Sequence, residues 1–364
     1  MAVSRINEAG LNVNQYGNRN VIINGAMQVA QRATQVTANV SNGYKTLDRM
    51  RYSENSLTTA EFTHEQVTDA PDGFGHSLKL TCTTAEGSVG ADDACRAIEY
   101  RIEGQDLQQL QYGTSSAKKL TLSFHVKSSL TGTYTIVLRR TETQNRIISA
   151  TYTINSANTW EYKTITFDGD TSSVITNDNA RRLSIYWVVG AGSNFTSTDS
   201  TSWINYSTGG FHYGQTAQFQ NTLNATWQVT GLQLEVGDTA TDFEHRTFGD
   251  ELARCERYFF KTYEYATSPG TASSLASSLG RYLDATQNYA SVPLPTLNLR
   301  ATPTTTIYNP NDGTVGEIRS DSTDHPAVGH SSIGQRGGAF IYANNSSITV
   351  STSSRAHITF DAEL

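Results

Sequence analysis

Apolar and polar side chains alternate, residue by residue, in segment after segment between residues 60 and 237. Successive side chains of a β-strand point to opposite faces of its sheet, so each segment has one apolar and one polar face. Turn-forming Gly, Asn and Ser residues separate the segments, and no helical pattern lies between them. This pattern predicts an antiparallel jelly-roll β-sandwich and excludes a parallel α/β sheet. The predicted strands are residues 61–65, 77–82, 97–102, 120–126, 134–138, 147–152, 160–167, 183–188 and 227–236.

A short helix is predicted directly after the sandwich. Thr247 precedes Asp250 by three positions, as in a capping box, and Leu252 and Cys255 recur on one helical face. Shorter apolar runs follow, and prolines such as Pro303 restrict strands there to sheet edges. The predicted fold class is therefore all-β, in four parts: an N-terminal docking arm (1–20), the jelly-roll sandwich (21–246), a linker helix (247–260) and a smaller C-terminal β domain (261–364).

The beginning of the chain is polar as far as residue 20. Polar termini fray unless another surface holds them, so we expect this arm to dock onto a second copy of the chain or a partner protein. Asn24-Gly25 then stands between two short apolar runs, a pattern that predicts a β-hairpin over residues 21–29.

Charge and composition exclude several classes of partner. The net charge is −7 with no basic block, so nucleic acid is not expected as the main partner. No apolar run approaches the ~18–20 residues of a membrane span, so membrane insertion is not expected either. Three cysteines without CxxC spacing (Cys82, Cys95 and Cys255) are interpreted as buried, reduced thiols in a protein made in a cytosol.

No catalytic motif stands out. The sequence contains neither GxSxG nor HExxH. Its closest acid pairs, such as Asp92-Asp93 and Asp168 with Asp170, are interpreted as turn residues rather than as facing carboxylates. The sequence therefore predicts a protein that is not an enzyme and that holds no cofactor and no metal ion.

A long loop between the last two sandwich strands, residues 192–224, is rich in aromatic and polar side chains. Sugars are recognised by flat apolar faces together with a few planar polar groups. Three interpretations stay open for this loop: a glycan site, a contact with another subunit or domain, or packing on its own sheet. The candidate ligand-binding residues are Trp203, Tyr206, Phe211, His212 and Tyr213.

The C-terminal β domain offers a second set of candidate glycan-binding residues. These combine a tyrosine with amide, carboxylate and imidazole groups. The alternative interpretation is a solvated polar rim without a ligand. The residues are Tyr308, Asn309, Asp312, Asp324 and His325.

Seven stretches resemble the phage tail-fibre and virion structural proteins, of cyanophage or marine-phage type. They are NVIINGAMQVAQR (20–32), YKTLDR (44–49), TWEYK (159–163), VTGLQLEVGDTATDFEHR (229–246), ELARCERY (251–258), LRATP (299–303) and ITFDAEL (358–364). The resemblance implies a carbohydrate-binding-like jelly roll in a homotrimeric virion protein, made in the host cytoplasm and located in the tail.

The same resemblance implies how such a protein works. It would be a short tail fibre that attaches to other tail proteins through its N-terminal arm. Its distal β domain would contact host-surface polysaccharide. Two alternatives are a purely structural tail adaptor or decoration protein, and a virion glycan depolymerase.

Overall fold

The structure is a computed structural model that describes residues 18–39, 41–142, 144–282, 288–290, 298–320, 322–326, 329–331, 334–336, 340–342 and 353–364. Most of the predicted docking arm lies outside these residues. The first thirteen strands are β1 (Gln35–Asn39), β2 (Gly43–Tyr44), β3 (Arg51–Asn55), β4 (Glu61–Val67), β5 (Ser77–Thr84), β6 (Ala94–Glu103), β7 (Leu120–Ser128), β8 (Gly132–Arg140), β9 (Arg146–Ile154), β10 (Glu161–Phe167), β11 (Arg181–Ala191), β12 (Ile204–Asn205) and β13 (Thr226–Val236).

These strands form two antiparallel sheets. Sheet A has the order β1-β4-β5-β13-β7-β10, and sheet B has the order β12-β9-β8-β11-β6-β3-β2. All nine strands predicted from the alternation are present, which confirms the all-β jelly-roll sandwich. Short 3-10 helices lie at Gly104–Leu110, Ser193–Phe195, Thr208–Gly210 and Phe219–Asn221.

The core lies between the two sheets and follows the alternation. On β7, Leu122, Phe124 and Val126 point inward and are completely buried, whereas His125 and Lys127 point outward and are half-buried. The Trp187 ring of sheet B meets Phe124 edge-on, with ring centroids 6.2 Å apart. Because each buried aliphatic or aromatic side chain contributes about 1.5–3 kcal/mol, this layer is the main source of stability.

The segment at residues 21–29 turns at Asn24-Gly25 but forms no hairpin, so that prediction is wrong. The Asn24 side chain bonds both backbone groups of Val29, accepting from its N–H (2.9 Å) and donating to its carbonyl (2.8 Å). The backbone instead joins β13, where the Leu232 N–H donates to the Gly25 carbonyl (2.9 Å). A Cβ at Gly25 would lie 2.2 Å from the Leu232 oxygen, so only glycine fits there.

The predicted helix is present as α1 (Phe248–Glu256). Thr247 caps it, accepting a hydrogen bond from the Asp250 N–H (3.2 Å), as the spacing predicted. Cys255 is buried on its inner face, and Phe259 begins a strand instead of continuing the helix. Cys82, Cys95 and Cys255 are all buried and free, which confirms the prediction of buried thiols.

The C-terminal strands gather around one long strand. They are β14 (Phe259–Lys261), β15 (Ser278–Tyr282), β16 (Asn288–Ala290), β17 (Thr304–Tyr308), β18 (Glu317–Ser320), β19 (Thr323–Pro326), β20 (Gly329–Ser331), β21 (Phe340–Tyr342) and β22 (Ser353–Asp361). β15 and β18 pair with one half of β22, and β14 and β17 pair with the other half. β20 and β21 pair only with each other among the described strands. No helix of the described residues is long and apolar enough to span a bilayer.

A buried ionic junction joins the sandwich to the C-terminal strands. Arg49 is buried, pairs with Glu363 and donates to the Arg101 carbonyl (2.6 Å), and its guanidinium carbon lies 3.5 Å from the centre of the Tyr258 ring. The Tyr258 hydroxyl in turn donates to the buried Glu103 (2.6 Å). Charges removed from water are stable only when they are paired, so these contacts hold the two parts together.

We expect Arg49→Met to lower the free energy of unfolding by about 3–5 kcal/mol, because it leaves the buried Glu363 carboxylate with only its longer pair to Arg32 (3.5 Å). The double variant Arg49→Met with Glu363→Met removes both charges and should lose less than the sum of the two single variants. Urea denaturation of all three variants measures this. Additive effects of the two substitutions would contradict a buried pair.

The buried imidazole of His64 makes stability depend on pH. Burial, with a smaller contribution from the Lys45 charge, lowers the pKa of His64 to about 3. Below about pH 6.5 the unfolded chain therefore binds a proton that the folded chain does not. The free energy of unfolding decreases as the pH is lowered through this range. Between pH 7 and pH 5 this group alone should cost about 2 kcal/mol.

Urea denaturation at both pH values tests this. His64→Gln should show a smaller loss of stability between pH 7 and pH 5 than the unaltered chain does. His245→Gln removes an exposed imidazole and serves as the control, which should behave like the unaltered chain. An undiminished pH dependence in His64→Gln would show that other groups are responsible.

Candidate functional site

A groove of about 250 Å³ opens on the outer face of sheet B. Strands β3, β6, β8 and β11 turn arginine side chains into it, away from the core. A bulge where β6 pairs with β11 shifts the register between Arg96 and Ile98, so that Arg96 and Glu99 both reach the outer face. We call this site the arginine groove; its charged lining residues are Arg51, Arg96, Arg101, Arg139, Arg181, Glu54 and Glu99.

The aromatic wall of the arginine groove comes mainly from the loop at residues 192–224. Phe195, Tyr206 and Phe211 line the groove from this loop, and Tyr186 lines it from β11. The Phe211 ring meets Tyr186 edge-on at 5.0 Å and Tyr206 at 5.5 Å between centroids. The wall is therefore one packed unit that presents polar tyrosine edges next to guanidinium groups.

Glu99 is the centre of the charged floor. It pairs with Arg51, Arg101 (2.7 Å) and Arg181 (3.1 Å), and it accepts from the Tyr186 hydroxyl (3.1 Å). Burial opposes the ionised form, but the hydrogen bond from Arg101 and the three nearby guanidinium charges outweigh it and lower the pKa of Glu99. The single Glu99 carboxylate thus forms ion pairs with three guanidinium groups.

Arg139 differs from the arginines around Glu99. Its guanidinium carbon lies 4.4 Å from the centre of the Tyr206 ring and 5.6 Å from that of Phe211. Its Nε is buried without a hydrogen-bond partner, and no carboxylate of the described residues pairs with it. Stacking on an aromatic face holds the guanidinium plane while its N–H donors stay unused.

Arg96 is fixed from behind by His212. Its Nε donates to His212 Nε2 (2.9 Å), and its Nη1 donates to the Asn55 side chain (3.1 Å). His212 is completely buried, and burial together with the Arg96 charge holds its pKa well below the usual range. The neutral imidazole is therefore an acceptor for Arg96. His212 positions an arginine of the groove and does not face a ligand itself.

The other two loop candidates lie elsewhere. The indole N–H of Trp203 donates to the Asp168 carbonyl (2.6 Å), and its ring packs edge-on against Tyr112. The Tyr213 carbonyl accepts from the Thr135 hydroxyl (3.1 Å). The loop packs on sheet B, and the same packing brings Tyr206 and Phe211 to the groove. A glycan site and a contact with another subunit or domain stay predictions.

The C-terminal candidates do not converge on one cavity. Asn309 is buried and donates to Glu317 (3.3 Å), and the Asp312 carboxylate accepts from the Thr314 N–H within the same turn. Asp324 pairs with Arg319 at 2.6 Å, and hydrogen bonds from Arg319 and Asn309 lower its pKa. His325 is buried, and Tyr308 lines a different groove together with Arg32, Phe259 and Thr306.

The sequence pattern alone did not indicate the arginines of the groove. The five residues come from four strands and lie far apart in the sequence, so no basic block is visible. The alternation of the strands could have indicated them. In a strand whose apolar residues face the core, an arginine next to an apolar residue in the sequence faces the outer side of the sheet.

The comparisons with known proteins concern general architecture. No protein-family model matches the chain, and neither does any curated protein. Among solved structures, the enzymatically active domain of tailspike protein 4 of bacteriophage CBA120 is 13% identical with a TM-score of 0.32, over 60% of this chain and 21% of that one. The CBM22-1 xylan-binding domain of Paenibacillus barcinonensis Xyn10C is 9% identical with a TM-score of 0.29, over 61% of this chain and 96% of that one.

A further similar structure is the family 11 carbohydrate-binding module of cellulase Lic26A-Cel5E of Clostridium thermocellum. It is 15% identical with a TM-score of 0.26, and the match covers 57% of this chain and all of that module. At these TM-scores the likenesses carry no argument about what the chain binds.

We expect His212→Phe to lower the free energy of unfolding by about 1–3 kcal/mol, because the buried Arg96 Nε loses its acceptor. Tyr213→Phe, one residue further on, is the control and should leave stability unchanged. Urea denaturation measures both variants. Unchanged stability in His212→Phe would contradict the positioning role.

Proposed function

We propose that this chain is a virion protein of a phage tail that binds a host-surface glycan in the arginine groove. The observation that carries the proposal is the half-buried Tyr206 ring, which packs against the buried Phe211 and lies beside outward guanidinium groups. A sugar ring has apolar C–H faces and a rim of hydroxyl groups, so an aromatic surface flanked by planar donors suits it.

The remaining parts of the proposal are supported by the resemblance of residues 20–32, 44–49 and 229–258 to phage tail-fibre proteins. The protein would be a short tail fibre, attached to other tail proteins by its N-terminal arm and assembled as a homotrimer. Three weak glycan sites on one trimer would act together through avidity. The groove in the sandwich replaces the C-terminal residues as the proposed contact, because it is lined by two of the loop candidates, Tyr206 and Phe211, together with five arginines.

We further propose that the protein binds its glycan without cleaving it. Hydrolysis needs one carboxyl group that stays protonated and a second carboxylate about 5–9 Å away. Glu99 is held by three arginines at a lowered pKa and is unsuited as the acid. Glu54, whose pKa burial raises, lines the same groove. Arg51 is the strand partner of Glu99, and Glu54 lies three residues beyond Arg51 on the same strand. The backbone positions of Glu54 and Glu99 are therefore about 10 Å apart along the strands.

Binding of the purified protein to a panel of bacterial capsular and cell-wall polysaccharides tests the function. We expect Tyr206→Ala to weaken binding about tenfold, because truncating a central aromatic residue removes more than about 1.4 kcal/mol. Tyr162→Ala removes an exposed tyrosine from sheet A and is the matched control, which should bind like the unaltered protein. Thermal unfolding confirms that both variants are folded.

Three outcomes would contradict the proposal. Equal losses in Tyr206→Ala and Tyr162→Ala would place the glycan site elsewhere. Failure to bind any polysaccharide of the panel would favour a structural tail adaptor. New reducing ends after incubation would identify a depolymerase, and Glu54→Gln would then be expected to abolish them.

A further inference from the structure

The arginine groove is positive although the protein is negative. Five arginines and two glutamates line it, whereas the whole chain carries a net charge of −7. A cleft that gathers one sign of charge raises the local concentration of ligands of the opposite sign. A neutral sugar needs no such field, so the charge itself points to the class of ligand.

The groove does not neutralise its own charge. Glu99 is shared by Arg51, Arg101 and Arg181, while Arg96 is held by the neutral His212 and by Asn55. Like charges that are close together and partly removed from water repel each other, and a bound anion relieves this repulsion. An anionic group in the groove would therefore complete the set of ion pairs.

Arg139 supplies the specific contact. Its neighbour in sequence, Arg140, faces inward and pairs with the buried Asp170, which also binds Arg146 at 3.0 Å. Arg139 donates no hydrogen bond to any described residue, and its buried Nε is unpartnered while the guanidinium is stacked on Tyr206. A guanidinium group presents parallel N–H donors that match the two oxygens of a carboxylate or sulfate.

We propose that the ligand of the arginine groove is an acidic polysaccharide whose carboxylate or sulfate group binds Arg139 and whose sugar ring packs on Tyr206. This inference rests on the proposed glycan-binding function and narrows it to one chemical class. Nucleic acid is disfavoured because the positive charge is confined to a groove of about 250 Å³ on an otherwise acidic protein.

The test compares polymers that differ only in charge. Polygalacturonate and its fully methyl-esterified form share one backbone, and dextran sulfate and dextran form a second pair. We expect the full-length protein to bind a charged member of at least one pair at least about tenfold more tightly than its neutral counterpart. Raising the salt concentration from about 0.05 to 0.5 M should weaken that binding, because the ion pairs are screened. The pair that responds distinguishes carboxylate from sulfate.

Substitutions at Arg139 locate the contact. Arg139→Gln should weaken binding of the charged polymer about tenfold, and Arg139→Lys should recover only part of it, because lysine keeps the charge but lacks the planar pair of donors. Lys119→Gln is the control: it removes one positive charge from an exposed side chain of the sandwich and should leave binding unchanged. Thermal unfolding of each variant excludes a loss of fold.

The possible failures are distinct. Equal, salt-insensitive binding of charged and neutral polymers would overturn the acidic ligand and leave glycan binding intact. Equal losses in Arg139→Gln and Lys119→Gln would reduce the effect to general charge attraction and overturn the contact at Arg139. Absence of binding to these four polymers and to the wider polysaccharide panel would overturn the proposed function itself.

Discussion

Burial of every second side chain between the two sheets is the constraint on which the rest of the molecule depends. Leu122, Phe124 and Val126 of sheet A meet residues such as Trp187 of sheet B in a layer without exposed surface. The intervening residues of the same strands must lie on the outer faces, because successive side chains of a strand point to opposite faces of the sheet. The position of the arginine groove follows from this division: the arginines of β3, β6 and β8 occupy the outward positions of strands whose inward positions hold the core.

The same residue type has opposite roles on the two sides of that division. Arg49 and Arg140 are buried, and each is paired with a carboxylate, Glu363 and Asp170 respectively. These pairs hold the C-terminal strands and the loop after β10 against the sandwich. Arg139 lies in the groove and has no such partner among the described residues. Pairing within the protein thus stabilises the fold, whereas the unpaired guanidinium is the group that we propose for ligand recognition.

The loop at residues 192–224 connects packing with the candidate function. Phe195 and Phe211 pack on the outer face of sheet B against Tyr186 and Val188, so the loop is held as firmly as part of a core. From that position Tyr206 supports Arg139, and His212 supports Arg96. Residues that looked like direct sugar contacts in the sequence therefore include one that acts behind the site. Preorganised side chains of this kind lose less entropy when a ligand binds.

The sequence by itself determined the all-β fold class, the nine central strands and the Thr247 helix cap, because alternation and capping depend on residues a few positions apart. It also pointed to Tyr206 and Phe211, whose aromatic rings lie in a recognisable loop. It did not determine that Asn24-Gly25 would join β13, nor that five scattered arginines would meet around Glu99. Those outcomes depend on strand order, on the bulge in β6 and on the path of a loop over the sheet. Only the tertiary structure decided them, because contacts between distant residues leave no periodic signal in the chain.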